Sequence, residues 1–327
     1  MIYVPSPKTD VCFHLALEYY FATEKKLDEP VFLLWHATPT LVVGKYQNTL
    51  QEINADYVRA HDVTVVRRLS GGGTMYFDLG GWQYTFIAHD GQEAISFEKY
   101  LAPVLDALHK LGLNAVFTGR NDLTLDGKKF SGASQYRVKG TTVHHGTLMY
   151  CVDMDALERA TKVADAEKFQ SKGIRSVRSR VTNLADHLPI KMTTDEFGAM
   201  LADLIRAGGE VRPLTEEEDA RVEAIADELF RPWERVYGGN PKATFEQSKR
   251  FTGGRVTLHL DLKNGVIAQA KFTGDFFATE ALDTLEAALS GCRYEKDAVA
   301  AVLQKADGVI FAVTPEELLT LFFPEEN

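Results

Sequence analysis

The chain has 327 residues, 45% of them hydrophobic and 25% charged, with a formal net charge of −10. That length and composition describe an ordinary globular protein of one large or two smaller domains. The acidic balance argues against general binding of nucleic acid or anionic membrane, both of which require clustered positive charge. The first residues lack a basic stretch followed by an apolar core, so no secretory signal is expected. No apolar run is long enough to cross a bilayer. Three scattered cysteines, Cys12, Cys151 and Cys292, have neither ligand-like nor framework spacing and suggest a reducing cytoplasm.

In chain order, apolar spacing predicts a helix from Val11 to Lys26, then strands at Val31–Trp35 and Leu41–Val43. The β-branched run Val63-Thr64-Val65-Val66 predicts another strand. It leads into Arg67-Arg68-Leu69-Ser70-Gly71-Gly72-Gly73-Thr74. Three consecutive glycines let backbone N–H groups converge on an anion and let the chain approach a ligand closely. The two arginines offer fixed charge and planar donors. A mobile turn with a solvated strand end is the plain alternative. No Gly-Lys-Ser/Thr follows, and the spacing fits neither a P-loop nor a dinucleotide fingerprint. Met75–Phe77 and Trp82–Ile87 read as further strands, so the loop joins sheet elements.

Ser96 is predicted to cap a helix with Phe97, Tyr100, Leu101, Val104, Leu105 and Leu108 on one face. Gly112 would stop it, and Pro103 would bend it or delay its start. After a strand at Ala115–Phe117, Asp126-Gly127 predicts a tight hairpin between Leu123–Leu125 and Lys128-Lys129-Phe130-Ser131. Adjacent strand residues face opposite sides. One lysine can therefore point into a pocket while the other stays in solvent, unless both merely protect an edge. His144 and His145 obey the same rule, so at most one faces a pocket. The order of elements is that of an α+β fold.

Thr194 and Thr215 are expected to cap helices with acidic first turns, Asp195-Glu196 and Glu216-Glu217-Glu218. Helix dipoles explain those carboxylates better than metal binding does. Turn-rich Gly238-Gly239-Asn240-Pro241 marks a boundary, giving domains of 1–245 and 246–327. The second begins with a hairpin at Lys263-Asn264-Gly265 and continues with helices at 279–289, 295–304 and 314–323.

Six segments together resemble lipoate-protein ligases of the two-domain bacterial type. They are Pro39–Asn48, Arg67–Gly73, Gly119-Arg120-Asn121-Asp122, Gly127–Gly132, His144–Leu148 and Lys172–Asn183. Phe272–Phe277 extends the likeness into the last hundred residues, where related octanoyltransferases have no counterpart. One departure is Phe77 before Asp78, where the family usually has histidine.

The resemblance implies a biotin/lipoate-ligase-like α+β catalytic domain with mixed sheets and flanking helices, plus a small α+β accessory domain. It implies that lipoate and ATP form lipoyl-AMP and pyrophosphate, and that lipoyl then passes to an acceptor lysine. Lys129 would be the catalytic lysine and would touch both ATP and lipoate. Arg68, Gly73, Thr74, Met75, Tyr76, Asn121 and Asp122 would complete the ATP site. Ser70, Gly71, Gly72, His145 and Gly146 would meet lipoate, and Asp122 would hold Mg²⁺. Leu69, Tyr76, Phe86 and Trp35 are candidates for an apolar slot. Lys172, Arg175, Arg178 and Arg180 form a basic run that could steer an acidic acceptor or simply be solvated.

The acceptors implied are lipoyl domains of 2-oxoacid dehydrogenase E2 subunits or the glycine cleavage H protein, with a monomeric, cytoplasmic enzyme as the default. Three rivals stand beside this reading. They are an acyltransferase working through Cys151, which lies in an apolar strand where a buried thiol is expected, a biotin ligase, and a non-catalytic lipoate-binding protein.

Overall fold

The computed structural model describes residues 1–323 except 92–94, 119, 162–179, 238–244 and 264. Its centre is a seven-stranded mixed sheet in the order β1-β2-β6-β10-β9-β8-β7. The strands are β1 (Ile2–Tyr3), β2 (Val31–Trp35), β6 (Gly81–Ala88), β7 (Val116–Thr118), β8 (Asp122–Leu125), β9 (Lys128–Val138) and β10 (Thr141–Met149). A smaller sheet places β3 (Thr40–Val43) between β4 (Thr64–Arg67), which is parallel to it, and antiparallel β5 (Met75–Phe77).

Both faces of the large sheet are covered, which explains why β2 reads as an unbroken apolar run. One face packs on α1 (Val11–Thr23) and α7 (Glu216–Leu229) through Leu33, Trp35, Ile87 and Val143. The other packs on α4 (Glu98–Lys110) and α6 (Thr194–Arg206) through Phe32, Leu34, Tyr84 and Phe86. Short helices α2 (Thr49–Glu52), α3 (Ala55–Ala60), α5 (Met154–Ala160) and α8 (Trp233–Tyr237) lie between these elements.

The C-terminal part has its own core between an antiparallel sheet and three helices. The strands are β11 (Phe245–Phe251), β12 (Gly254–Lys263) and β13 (Val266–Gly274). The helices are α9 (Leu282–Leu289), α10 (Lys296–Gln304) and α11 (Pro315–Phe322). The α+β class is therefore as expected. Among the described residues, no helix is long and apolar enough to cross a membrane.

Two caps differ from expectation. The N-cap of α6 is Thr193, not Thr194. Thr193 and Glu196 exchange reciprocal hydrogen bonds at 3.2 and 2.7 Å, whereas a start at Thr194 would put Phe197 in the reciprocal position, where it has no acceptor. Ser96 does not cap α4, whose N-cap is Phe97 with no side-chain hydrogen bond. Pro103 lies inside that helix rather than delaying its start. Thr215 caps α7 as predicted, and the acidic first turns of α6 and α7 take part in capping boxes. The Asp126-Gly127 turn has φ of 50° and 76°, the doubly left-handed geometry of a two-residue hairpin.

Candidate active site

The glycine loop leaves β4 at Arg67 and returns along β3 as β5. Gly72 adopts φ +89°, accessible to glycine at little cost. At Gly71 of the loop, and at Gly44 facing it, the backbones approach too closely for a side chain. A Cβ on Gly44 would stand 2.0 Å from the Gly72 carbonyl oxygen, and one on Gly71 would stand 2.2 Å from that of Phe276.

Both arginines are buried, and their donors go chiefly to the protein itself. Arg67 donates to the carbonyls of Gly44, Gln47 and Val236 at 2.9, 2.7 and 3.0 Å and to Thr49 Oγ1 at 2.6 Å. Arg68 donates to Val42 O at 3.0 Å, Gly71 O at 2.6 Å, Gly73 O at 2.8 Å and Ser70 Oγ at 3.0 Å. Arg68 thus ties the loop together through the Ser70 hydroxyl and the carbonyls of Gly71 and Gly73. Burial pulls its guanidinium down to about 9, and the nearby Glu18 carboxylate opposes that shift.

The two histidines separate as strand alternation requires. His144 is packed against Phe97 and Tyr100, and its buried ring nitrogens have no hydrogen-bond partner among the described residues. Burial drives it down to about 3, with His145 adding to the shift, so it is neutral. His145 faces the loop. Its Nε2 lies 2.7 Å from Ser70 Oγ, and its Nδ1 lies 2.9 and 3.1 Å from the two carboxylate oxygens of Glu18 on α1. Gly146 follows on β10, and a Cβ there would meet the Tyr84 hydroxyl at 2.2 Å. The space beside Gly146 is thus filled by that ring.

On β9, Lys128 is exposed and Lys129 half-buried. The Lys129 ammonium lies 2.7 Å from Asp122 Oδ1, and a Cβ on Gly132 would come within 3.0 Å of Lys129 Nζ. Asn121 donates from Nδ2 to Ala133 O at 2.6 Å and accepts from Ala133 N at 2.8 Å, clipping the β8 entry to β9. Farther along β9, Ser134 donates to Gly71 O at 2.8 Å. One strand therefore carries Lys129 and touches the glycine loop. Thr74 joins the loop to Gln47 through a 2.9 Å hydrogen bond.

The apolar candidates do not form one slot. Trp35 belongs to the α1 side of the large sheet and Phe86 to the α4 side, because β2–β6 pairing sets them on opposite faces. Leu69 is partly buried on the first side, and Tyr76 packs with the smaller sheet. Cys151 is exposed rather than buried, since β10 ends at Met149. Its thiol sits 3.3 Å from Thr194 Oγ1. Lys172, Arg175 and Arg178 lie outside the described residues, as do Gly119 and Gly238-Gly239-Asn240-Pro241. Among the described residues no group of three or more His, Cys, Asp or Glu could hold a metal ion.

Glu18 and Ser134 are not singled out by the sequence, and Gln47 enters only within the segment Pro39–Asn48, without a role. Glu18 alone carried a readable sign, a carboxylate in the middle of an otherwise apolar helix, where a charge requires a partner.

Residues 10–206 match the lipoyl protein ligase A/B catalytic domain, and residues 240–322 match the bacterial lipoate protein ligase C-terminus. The chain is 38% identical to the lipoate-protein ligase LplJ of Bacillus subtilis over 322 residues, covering 96% of this chain and 97% of that protein. It is 39% identical to lipoate–protein ligase 1 of Staphylococcus aureus over 302 residues, covering 91% and 92% respectively. Among solved structures, P. falciparum LipL1 in complex with lipoate superposes with a TM-score of 0.79 at 22% identity, covering 97% of this chain and 96% of that one. Lipoate-protein ligase A bound with ATP gives 0.59 at 21% identity over 72% of this chain and 96% of that one. These two likenesses show the fold.

Proposed function

Because the chain belongs to the lipoate-protein ligase family, we propose that it couples lipoate to ATP as lipoyl-AMP with release of pyrophosphate, then passes lipoyl to the amine of an acceptor lysine with release of AMP. The observation that carries this reading is the Lys129 ammonium, 2.7 Å from Asp122, on the strand whose Ser134 holds Gly71. A cation there is what the chemistry demands. A carboxylate attacking an α-phosphate brings two anions together, and charge grows in the transition state. Lys129 contacts both and neutralises them, and after pyrophosphate leaves it polarises the acyl carbonyl toward the incoming amine. No Schiff base is needed, because neither step captures a carbonyl on the enzyme.

We assign Arg68, Gly73, Thr74, Met75, Tyr76, Asn121 and Asp122 to ATP together with Lys129. Ser70, Gly71, Gly72, His145 and Gly146 are assigned to lipoate. The ATP and lipoate complexes of proteins with this fold support the pair of substrates. Asp122 Oδ1 is a buried atom with no hydrogen bond beyond its ion pair with Lys129, among the described residues, which suits one carboxylate contact to Mg²⁺ beside phosphates. Bound there, Mg²⁺ would supply charge neutralisation on the phosphate oxygens. Residues 1–245 would form the catalytic domain and 246–327 the accessory one. The acceptor class is a lipoyl domain of a 2-oxoacid dehydrogenase or the glycine cleavage H protein. A relative of this fold described with its E2 lipoyl domain supports the former.

The test is intact-mass analysis of an apo lipoyl domain incubated with the protein, Mg²⁺ and lipoate, with and without ATP. A Lys129→Ala variant and an octanoyl-carrier-protein donor serve as controls. Lipoyl addition that needs ATP and collapses in the variant is the expected result. ATP-independent transfer from the carrier protein would overturn it in favour of Cys151 chemistry.

A further inference from the structure

We infer that Glu18, which takes no part in the ATP or lipoate contacts assigned above, is the positioning residue of this site: its buried carboxylate fixes one tautomer of His145 and, through it, the geometry of Ser70 and the glycine loop. This inference rests on the ligase reading for its catalytic consequence, and on hydrogen-bond geometry for the rest.

Glu18 is 1% exposed. Its Oε1 accepts from Thr85 Oγ1 at 2.7 Å, and both oxygens face His145 Nδ1. An ionised carboxylate only accepts, so Nδ1 carries the proton. Nε2 is then free to accept from the Ser70 hydroxyl at 2.7 Å. Ser70 Oγ in turn accepts from Arg68 Nε at 3.0 Å. Every group is satisfied in this direction and in no other. A proton on Nε2 would aim two donors at Ser70 Oγ and displace the hydroxyl hydrogen from its acceptor.

The chain continues outward from Arg68. Its Nη2 holds Gly71 O and Gly73 O while Nη1 holds Val42 O, and Ser134 also holds Gly71 O. A buried anion at Glu18 thus stands at one end of the chain and a buried cation at Arg68 at the other. Each offsets the desolvation of its opposite. Glu18 lies on α1, so the helix is tied to the loop by proton direction as well as by packing.

The experiment compares wild type with Glu18→Gln, Glu18→Asp, Ser70→Ala and the Glu18→Gln/Ser70→Ala double variant. It reads imidazole ¹⁵N NMR of His145 alongside ATP-dependent lipoyl addition. Wild type should show the neutral Nδ1–H tautomer. Glu18→Gln should mix tautomers and lower kcat/KM by about 10- to 100-fold, the scale seen for partners that orient the imidazole ligands of a metal. Glu18→Asp should recover part of both.

Because Glu18 reaches the loop through His145 and Ser70, the double variant should fall by less than the product of the two single losses. A Glu18→Gln enzyme with the wild-type tautomer would overturn the inference, as would losses that multiply in the double variant. Wild-type protein that adds no lipoyl at all would instead overturn the ligase reading, while the tautomer would still decide whether Glu18 orients His145.

Discussion

The backbone N–H of Gly72 donates to the carbonyl oxygen of Phe276 at 2.9 Å, so the middle of the glycine loop is bonded to the segment that follows β13. The next residue extends the contact. A Cβ on Gly72 would stand 3.0 Å from the Phe277 ring. That ring packs on Phe97 with 5.3 Å between centroids and lies 4.9 Å from the Arg120 guanidinium.

Phe277 is 1% exposed within the α4-side core. Replacing it with alanine leaves a cavity where the loop, α4 and Arg120 converge, at a cost of about 3–5 kcal/mol. Urea unfolding should record that loss, and hydrogen exchange should show faster opening at the Gly72 amide. An unchanged exchange rate there would mean that the ring is not what secures the loop.

The two hairpin lysines should part company. Lys128→Ala should leave adenylate formation within about twofold of wild type, as for an exposed surface position. Lys129→Ala should lower it by a factor of order 100–1,000, the scale for removing a charge-stabilising donor. Lys129→Arg should not rescue, since a planar fork replaces a compact point charge. Pyrophosphate exchange with lipoate present measures all three, and equal losses at both positions would refute the assignment.

Glu52, at the end of α2, is held up to about 7 by burial and then by the Asp275 carboxylate, against lowering by Arg255, Gln47 and Thr74. An acid whose pKa is raised on folding binds more protons folded than unfolded. Stability therefore falls as pH rises from the unfolded value of 4.5 to about 7. Glu52→Gln should flatten that part of the Tm–pH curve and raise Tm at pH 8. A variant whose curve parallels the wild type from pH 5 to 8 would show that Glu52 titrates normally.

At the start of α6, Thr193→Ala should cost about 1 kcal/mol by removing a side-chain cap. Thr194→Ala should cost less, because its carbonyl, which accepts from Trp82 Nε1 at 2.9 Å, is retained. Thermal melts of the two variants give the order, and a reversed order would contradict the capping box.

Most elements were legible because their causes are local. Asp126-Gly127 dictates a tight turn through φ alone, and the pleat then parts Lys128 from Lys129 and His144 from His145. The errors came where competing local choices were close. Thr193 and Thr194 are both good caps, and Glu196 chooses between them by its reach. Trp35 and Phe86 are equally apolar, and only β2–β6 pairing assigns them to opposite faces.

By itself the sequence determined the turns, the alternation of side chains and the two motifs, since backbone sterics and strand pleat act over a few residues. Tertiary structure decided what those motifs touch. It turned the guanidinium of Arg68 inward to the loop carbonyls, brought Glu18 from α1 to His145, and set Phe276 against Gly72. Those partners lie far apart along the chain. Burial joins them, because a buried charge or an inward carbonyl must find its hydrogen-bond partner wherever packing delivers one.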